Sequence, residues 1–297
     1  MIIDFHTHRY AEEVRRDPAS WGRERGEGHW VNLVTNGPQG WPTPEETVRL
    51  MDAEGVGHGV LAGWYWENQD TADLQNAWYR EWAEADPLRW SPFVSVQPKA
   101  GARAVEAVEA ALATGVFRGI GELMPTVQGF DVRGPVFRDI VTLAVQHQVP
   151  VLLHVTEPTG HLYPGRVETP LEDFVWLGET YPEARWVLAH WGGGLPFYCL
   201  NRRIGRALRH VYFDTAASPL LYDARVWRAV RDLVGAERIL FGTDFPLRLY
   251  PRKETQPGYA RVLAEVRAAG FTPEEEGTVL SGNARRLLFK EVLPLEA

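Results

Sequence analysis

The sequence is poor in features that would place it outside the ordinary cytoplasm. A single cysteine, Cys199, excludes an internal disulfide and fits a reducing compartment. No apolar run is long enough to span a bilayer, and strand-like sequence begins at Ile2 without a basic leader. The expectation is a cytoplasmic protein with no membrane partner. The net charge is -8 and there is no basic run, which argues against nucleic acid as the natural partner. Pro/Ser-rich linkers, low-complexity segments and sequence repeats are also missing, so nothing marks a domain boundary. No Gly-x-Gly-x-x-Gly follows any strand-like run, which speaks against a doubly wound dinucleotide-binding sheet.

What is present is an alternation. Apolar runs at 2–5, 58–63, 92–97, 117–122, 149–155, 186–190, 211–214 and 238–243 read as buried strands. Helical patterns follow each of them, at about 43–54, 70–85, 102–113, 135–147, 171–180, 195–208, 223–234 and 259–269. Thr43-Pro44-Glu45-Glu46 is a strong helix start, with a capping hydroxyl, proline at the first helical position and acids in the first turn. Eight strand-then-helix units in 297 residues predict one (β/α)8 TIM barrel spanning residues 1–297, with a helical tail at Pro273–Lys290 around Gly282-Asn283. The polar, tryptophan-bearing stretch from Arg9 to Trp41 is expected to be a long loop after strand 1, serving as a lid or an oligomer contact, and a homo-oligomer is possible.

In such a barrel the active site forms at the carboxyl ends of the strands. His6 and His8 stand two apart where the first run ends, so both imidazoles can approach one cation. Glu122, His154 and His190 each close an apolar run, and Asp244 follows Ile239-Leu-Phe-Gly-Thr243. Taken singly, each suits a hydrogen-bonded strand end. Together they form a metal set on one rim.

These residues also carry a resemblance. His6-Thr-His8, His154, Ala189-His190-Trp191-Gly192-Gly193-Gly194, Val211-Tyr-Phe-Asp214, Phe241-Gly-Thr-Asp244-Phe-Pro and Ser281-Gly-Asn283-Ala-Arg-Arg-Leu resemble the amidohydrolase superfamily. More closely, they resemble its family 2 branch, the metal-dependent TIM-barrel hydrolases related to aminocarboxymuconate semialdehyde decarboxylase. The resemblance implies that His6, His8, His154 and Asp244 hold one divalent metal, most often zinc, while His190 polarises substrate or helps activate water. It places Glu122 where other branches bridge two metals, in which case His154 and His190 would hold the second ion; one ion is favoured and two remain open.

A bound divalent ion lowers the pKa of water to about 7 and polarises carbonyls. Asp244 is then read as general base and His190 as the group that orients the nucleophile or stabilises an oxyanion. Asp214 either orients a histidine or caps its own turn. The primary expectation is hydrolysis of an amide, ester or lactone bond in a small molecule. The alternative is non-oxidative decarboxylation of an aromatic or muconate-like acid. A barrel that only binds a metal or ligand is a third reading without positive support. Trp64 and Trp66, with Tyr65 between them, are expected to line a pocket for a flat substrate, and Arg248 is expected to clamp a substrate carboxylate.

Overall fold

The computed structural model describes residues 1–289; Lys290, the last residue of the expected tail, lies outside them. The strands are β1 (Ile2–Thr7), β2 (Val56–Leu61), β3 (Trp90–Val94), β4 (Gly119–Leu123), β5 (Pro150–Leu153), β6 (Arg185–Leu188), β7 (Tyr212–Asp214) and β8 (Ile239–Leu240). They lie side by side in sequence order and each neighbouring pair is parallel. Helices intervene, as in a TIM barrel. The seam between β8 and β1 is closed by single bonds. Phe5 N donates to Phe241 O (2.7 Å), Asp244 N to His6 O (2.9 Å) and His8 N to Phe245 O (2.6 Å).

Because every strand is covered on both faces, the strands read as continuous apolar runs. Ile3, Phe5, Val60, Phe93, Leu152, Val187 and Leu240, drawn from six strands, meet in one buried cluster. Ala284, Leu287 and Leu288 of the tail helix (Asn283–Phe289) join it. Asn283 fastens that helix, its Nδ2 donating to Ala236 O (2.8 Å) and Ile239 O (2.6 Å) at the start of β8. The tail therefore stops the end of the barrel opposite the strand termini that carry the histidines.

Two expected elements are different in the structure. The stretch from Arg9 to Trp41 is not a long loop but holds three helices, α1 (Glu12–Arg16), α2 (Pro18–Arg25) and α3 (Gly28–Asn36). Asp17 caps α2 by accepting from Ser20 N (3.0 Å), and Gly26 ends it in a left-handed conformation. These helices are too short to stand alone. They are held by aromatic packing, with Trp30 5.0 Å from Trp64 and 5.1 Å from Trp66. A buried carboxylate adds to this: Glu27 accepts from the backbone N–H groups of Glu67 (2.7 Å) and Asn68 (3.2 Å).

The expected helix at 195–208 is also mostly absent. His190 to Gly194 run through five successive left-handed residues, and a regular helix appears only at Arg202–Ala207. Gly192-Gly193-Gly194 admits that path because a side chain there meets both strain and obstruction: a Cβ on Gly193 would lie 2.6 Å from Thr156 O. α4 (Pro44–Ala53) starts as expected, Thr43 Oγ1 accepting from Glu46 N and Glu46 Oε2 from Thr43 N.

Asn283→Ala removes the side-chain donor from two buried carbonyls, Ala236 O keeping only its bond from the Ile239 backbone N–H, an expected loss of roughly 1–3 kcal/mol. Urea unfolding measures it; an unchanged midpoint would mean that the tail does not stop the barrel.

Candidate metal centre

Each strand end delivers its side chain to one point. His6 Nε2 lies 3.3 Å from His8 Nε2, and His8 Nε2 lies 3.2 Å from Asp244 Oδ1. Glu122 Oε2 stands 3.7 Å from His6 Nε2, while its Oε1 is 2.8 Å from His154 Nδ1 and 3.6 Å from His190 Nε2. Two potential metal-binding triads result, His6–His8–Asp244 and Glu122–His154–His190, with the Glu122 carboxylate reaching across both. All six residues singled out in the sequence are brought together.

Ring orientation decides whether these histidines suit a cation. His6 Nδ1 is bound to Asp214 Oδ2 (2.8 Å), His8 Nδ1 to Ala62 O (3.1 Å) and His190 Nδ1 to Ala216 O (3.0 Å). Each of these partners is an acceptor, so the proton sits on Nδ1 and the Nε2 lone pair of the neutral ring faces the cluster. Three fixed lone pairs and two carboxylates in a buried setting fit a divalent ion. Asp214 meets both of its expected roles, since Oδ1 also accepts from the backbone N–H groups of His190 (3.0 Å) and Ala216 (3.0 Å).

The backbone is bent to serve this convergence. His190 and Asp244, neither of them glycine, occupy left-handed conformations at φ 58° and 64°. Such residues cost of order 1 kcal/mol or more and persist where surroundings hold them. The holding bonds are His190 N to Asp214 Oδ1 and Asp244 N to His6 O.

Electrostatically the site asks for positive charge. Burial would raise Asp244, but the bond from His8 and the nearby His6 and His190 charges pull it down to about 2. Burial likewise opposes ionisation of Glu122, and His154 and His6 outweigh it and hold the group well below the usual carboxylate range. Burial would discharge His6, but the carboxylates of Asp214 and Glu122 keep it well above the ordinary imidazole value. His190 is pushed up to about 9 against the cost of burial by Glu122 and Asp244. The buried carboxylates thus favour positive charge at the cluster, and binding of a metal ion there would release any proton held on the ligand nitrogens.

Above the cluster is a cavity of about 450 Å³. Trp64 and Tyr65 form one wall, stacked at 4.6 Å with 22° between their planes, and Tyr65 lies 5.0 Å from the His154 ring. Leu33, Pro38, Tyr163, Leu220, Leu247 and Arg248 are among the other lining residues. Trp66 is not one of them. It turns away into the helical cap, 1% exposed, with its indole N–H on Gln75 Oε1 (2.9 Å) and its ring against Trp21 and Trp30. Tyr65 takes the place expected of it. Leu33 and Asn36 of α3 and His161 of the loop after β5 also border the cavity.

An eight-stranded parallel barrel with histidines and carboxylates gathered at its strand ends defines the class of metal-dependent TIM-barrel enzymes. The chain belongs to the amidohydrolase family, whose model matches residues 3–290. Three solved structures share the fold. 5-Carboxyvanillate decarboxylase from Novosphingobium aromaticivorans, complexed with manganese and 4-hydroxy-3-methoxy-5-nitrobenzoic acid, is 16% identical, with a TM-score of 0.75 and 97% and 96% of the two chains covered. Dihydroxybenzoic acid decarboxylase from Polaromonas, with bound manganese and 2-nitroresorcinol, is 18% identical at a TM-score of 0.70, covering 100% of this chain and 99% of that one. 4-Oxalomesaconate hydratase from Rhodopseudomonas palustris is 20% identical at a TM-score of 0.70, covering 98% and 96%. Among the described residues no helix is long and apolar enough to cross a membrane.

Metal analysis of purified variants tests the cluster. His8→Ala and Asp244→Ala are each expected to lose bound metal while keeping a native circular dichroism spectrum. Glu122→Gln is expected to lower metal content as well. Full content in that variant would confine Glu122 to bonding His154.

Proposed function

We propose that the protein is a metal-dependent, non-oxidative decarboxylase of a small aromatic or muconate-like carboxylic acid. The observation that carries this reading is the flat Trp64–Tyr65 wall standing directly beside the histidine–carboxylate cluster. It suits a planar acid whose carboxylate reaches the cluster. The description of two fold neighbours as decarboxylases of aromatic acids supports the same choice. Hydrolysis, the first expectation from the residue types, uses the same groups.

His6, His8 and Asp244 would hold a divalent ion, with Glu122 and His154 completing its surroundings. Ligand chemistry points to zinc, whereas the two decarboxylase neighbours carry manganese. When bound, the ion supplies Lewis acidity that draws the substrate carboxylate and its neighbouring oxygen into place. The chain's own residues do the rest. Trp64 and Tyr65 orient the ring and keep water from its face.

Decarboxylation needs a proton on the carbon that loses carbon dioxide. A C–H bond forms there, the C–C bond to the carboxylate breaks, and its electron pair returns to the ring. His190 is suited to bring that proton. Its Nδ1 is tied to Ala216 O, so Nε2 is the atom that carries charge into the cavity, and Asp244 favours that charge.

Manganese- and zinc-loaded enzyme incubated with a panel of hydroxybenzoic and muconic acids should release carbon dioxide and an equimolar decarboxylated product. His190→Asn should lower kcat by roughly 10²–10⁴-fold with little change in acid binding. Turnover of lactones or amides without any carbon dioxide from the acids would overturn the reading.

A further inference from the structure

The floor of the cavity is built from buried groups, but its mouth is not. His8, Glu122 and His190 are each less than 5% exposed, while Asn36, His161 and Pro251 at the other end are exposed. Between these ends the walls are mostly apolar and aromatic. One residue breaks that pattern. Arg248, half-buried, is the single arginine or lysine lining the cavity among the described residues.

Arg248 is held as a binding group would be. Its Nε donates to Pro38 O (3.2 Å), and its own backbone N–H donates to the same carbonyl (3.0 Å). That double attachment fixes the guanidinium against the turn that follows α3. Its two terminal nitrogens have no protein partner among the described residues, and no carboxylate lies within 4.0 Å of it. An arginine kept only for solubility has no need of a pinned Nε. A pinned guanidinium with both NH2 groups free presents a planar fork, the geometry that receives a carboxylate through two parallel bonds. In a chain of net charge -8, a fixed cation at the mouth also counters the general repulsion of anions.

We propose that Arg248 is a second carboxylate-recognition point and that the cavity accordingly selects planar dicarboxylic acids over monocarboxylic ones. One carboxylate lies at the histidine–carboxylate cluster on the floor, and the other is received by the guanidinium at the mouth. This rests on the decarboxylase reading for the first carboxylate and adds the second. Arg248 touches substrate but takes no part in the bond that breaks, so it governs which acid is accepted rather than how fast the carbon is protonated.

Calorimetric titration of the manganese-loaded enzyme with benzoate, isophthalate and terephthalate tests this. At least one diacid should bind about 10-fold or more tighter than benzoate, a difference of about 1.4 kcal/mol. Arg248→Met should erase that advantage while leaving benzoate affinity within about 2-fold of the parent protein. Arg248→Lys, which keeps the charge without the fork, should restore part of the advantage, and it serves as the test if the methionine variant does not fold. Equal affinities for diacids and benzoate in the parent enzyme overturn the proposal, as does an advantage that survives in Arg248→Met. Benzoate binding that requires the metal, with no diacid preference, would defeat this inference alone. If none of the three acids binds, this inference fails, while carbon dioxide release from the hydroxybenzoic and muconic acids decides the decarboxylase reading separately.

Discussion

The seam between β1 and β8 is the constraint on which the site depends. His6 and His8 lie on one side of it and Asp244 on the other, so these groups, 236 to 238 residues apart in sequence, meet only if the barrel closes in this register. Asp4 pins that closure. Its Oδ1 accepts from the backbone N–H groups of His6 (3.1 Å) and Thr243 (3.0 Å), and its Oδ2 accepts from the Thr243 hydroxyl. Asp4 is fully buried, and burial pushes its carboxyl up to about 7 even though the Thr243 and His6 bonds oppose the shift. A buried acid is tolerable here because its lone pairs are taken by donors from both sides.

From that seam the site grows by one repeated device: an imidazole nitrogen is committed to an acceptor behind it, which leaves the other nitrogen facing forward. A carboxylate does this for His6 and backbone carbonyls do it for His8 and His190. The arrangement fixes tautomers before any ligand arrives, so little reorganisation is left for binding. Asp214 couples two of these histidines, holding the ring of His6 and the backbone of His190 with its two oxygens. The cavity above then separates functions by depth, with charge chemistry at the floor, a planar aromatic wall beside it and a pinned arginine at the mouth.

Much of this was legible in the sequence, for identifiable reasons. Parallel strands buried on both faces leave unbroken apolar runs, and a helix that starts with Thr43-Pro44-Glu45-Glu46 shows its own capping box, so the alternation of the barrel could be counted. Ionisable residues that end apolar runs stand out, which is how the six converging side chains were found. What stayed hidden depends on tertiary context. The helices α1 to α3 have no long apolar stripe, because their stability comes from indoles packing on indoles across the chain. The left-handed path at His190–Gly194 replaces an expected helix, although its three glycines were the available signal. No periodicity assigns sides after β2 ends, so sequence could not tell that Trp66 turns to the cap and Tyr65 to the cavity. The carbonyls of Ala62 and Ala216 are invisible in principle, since any residue supplies one.

The convergence at the seam is tested most directly by anomalous diffraction from crystals grown with zinc or manganese. If the closed barrel makes the site, an ion will be bonded by His6 Nε2, His8 Nε2 and an Asp244 oxygen, at about 2.0–2.2 Å for zinc. An ion bound elsewhere, or one that leaves His6 and Asp244 without a bond, contradicts it.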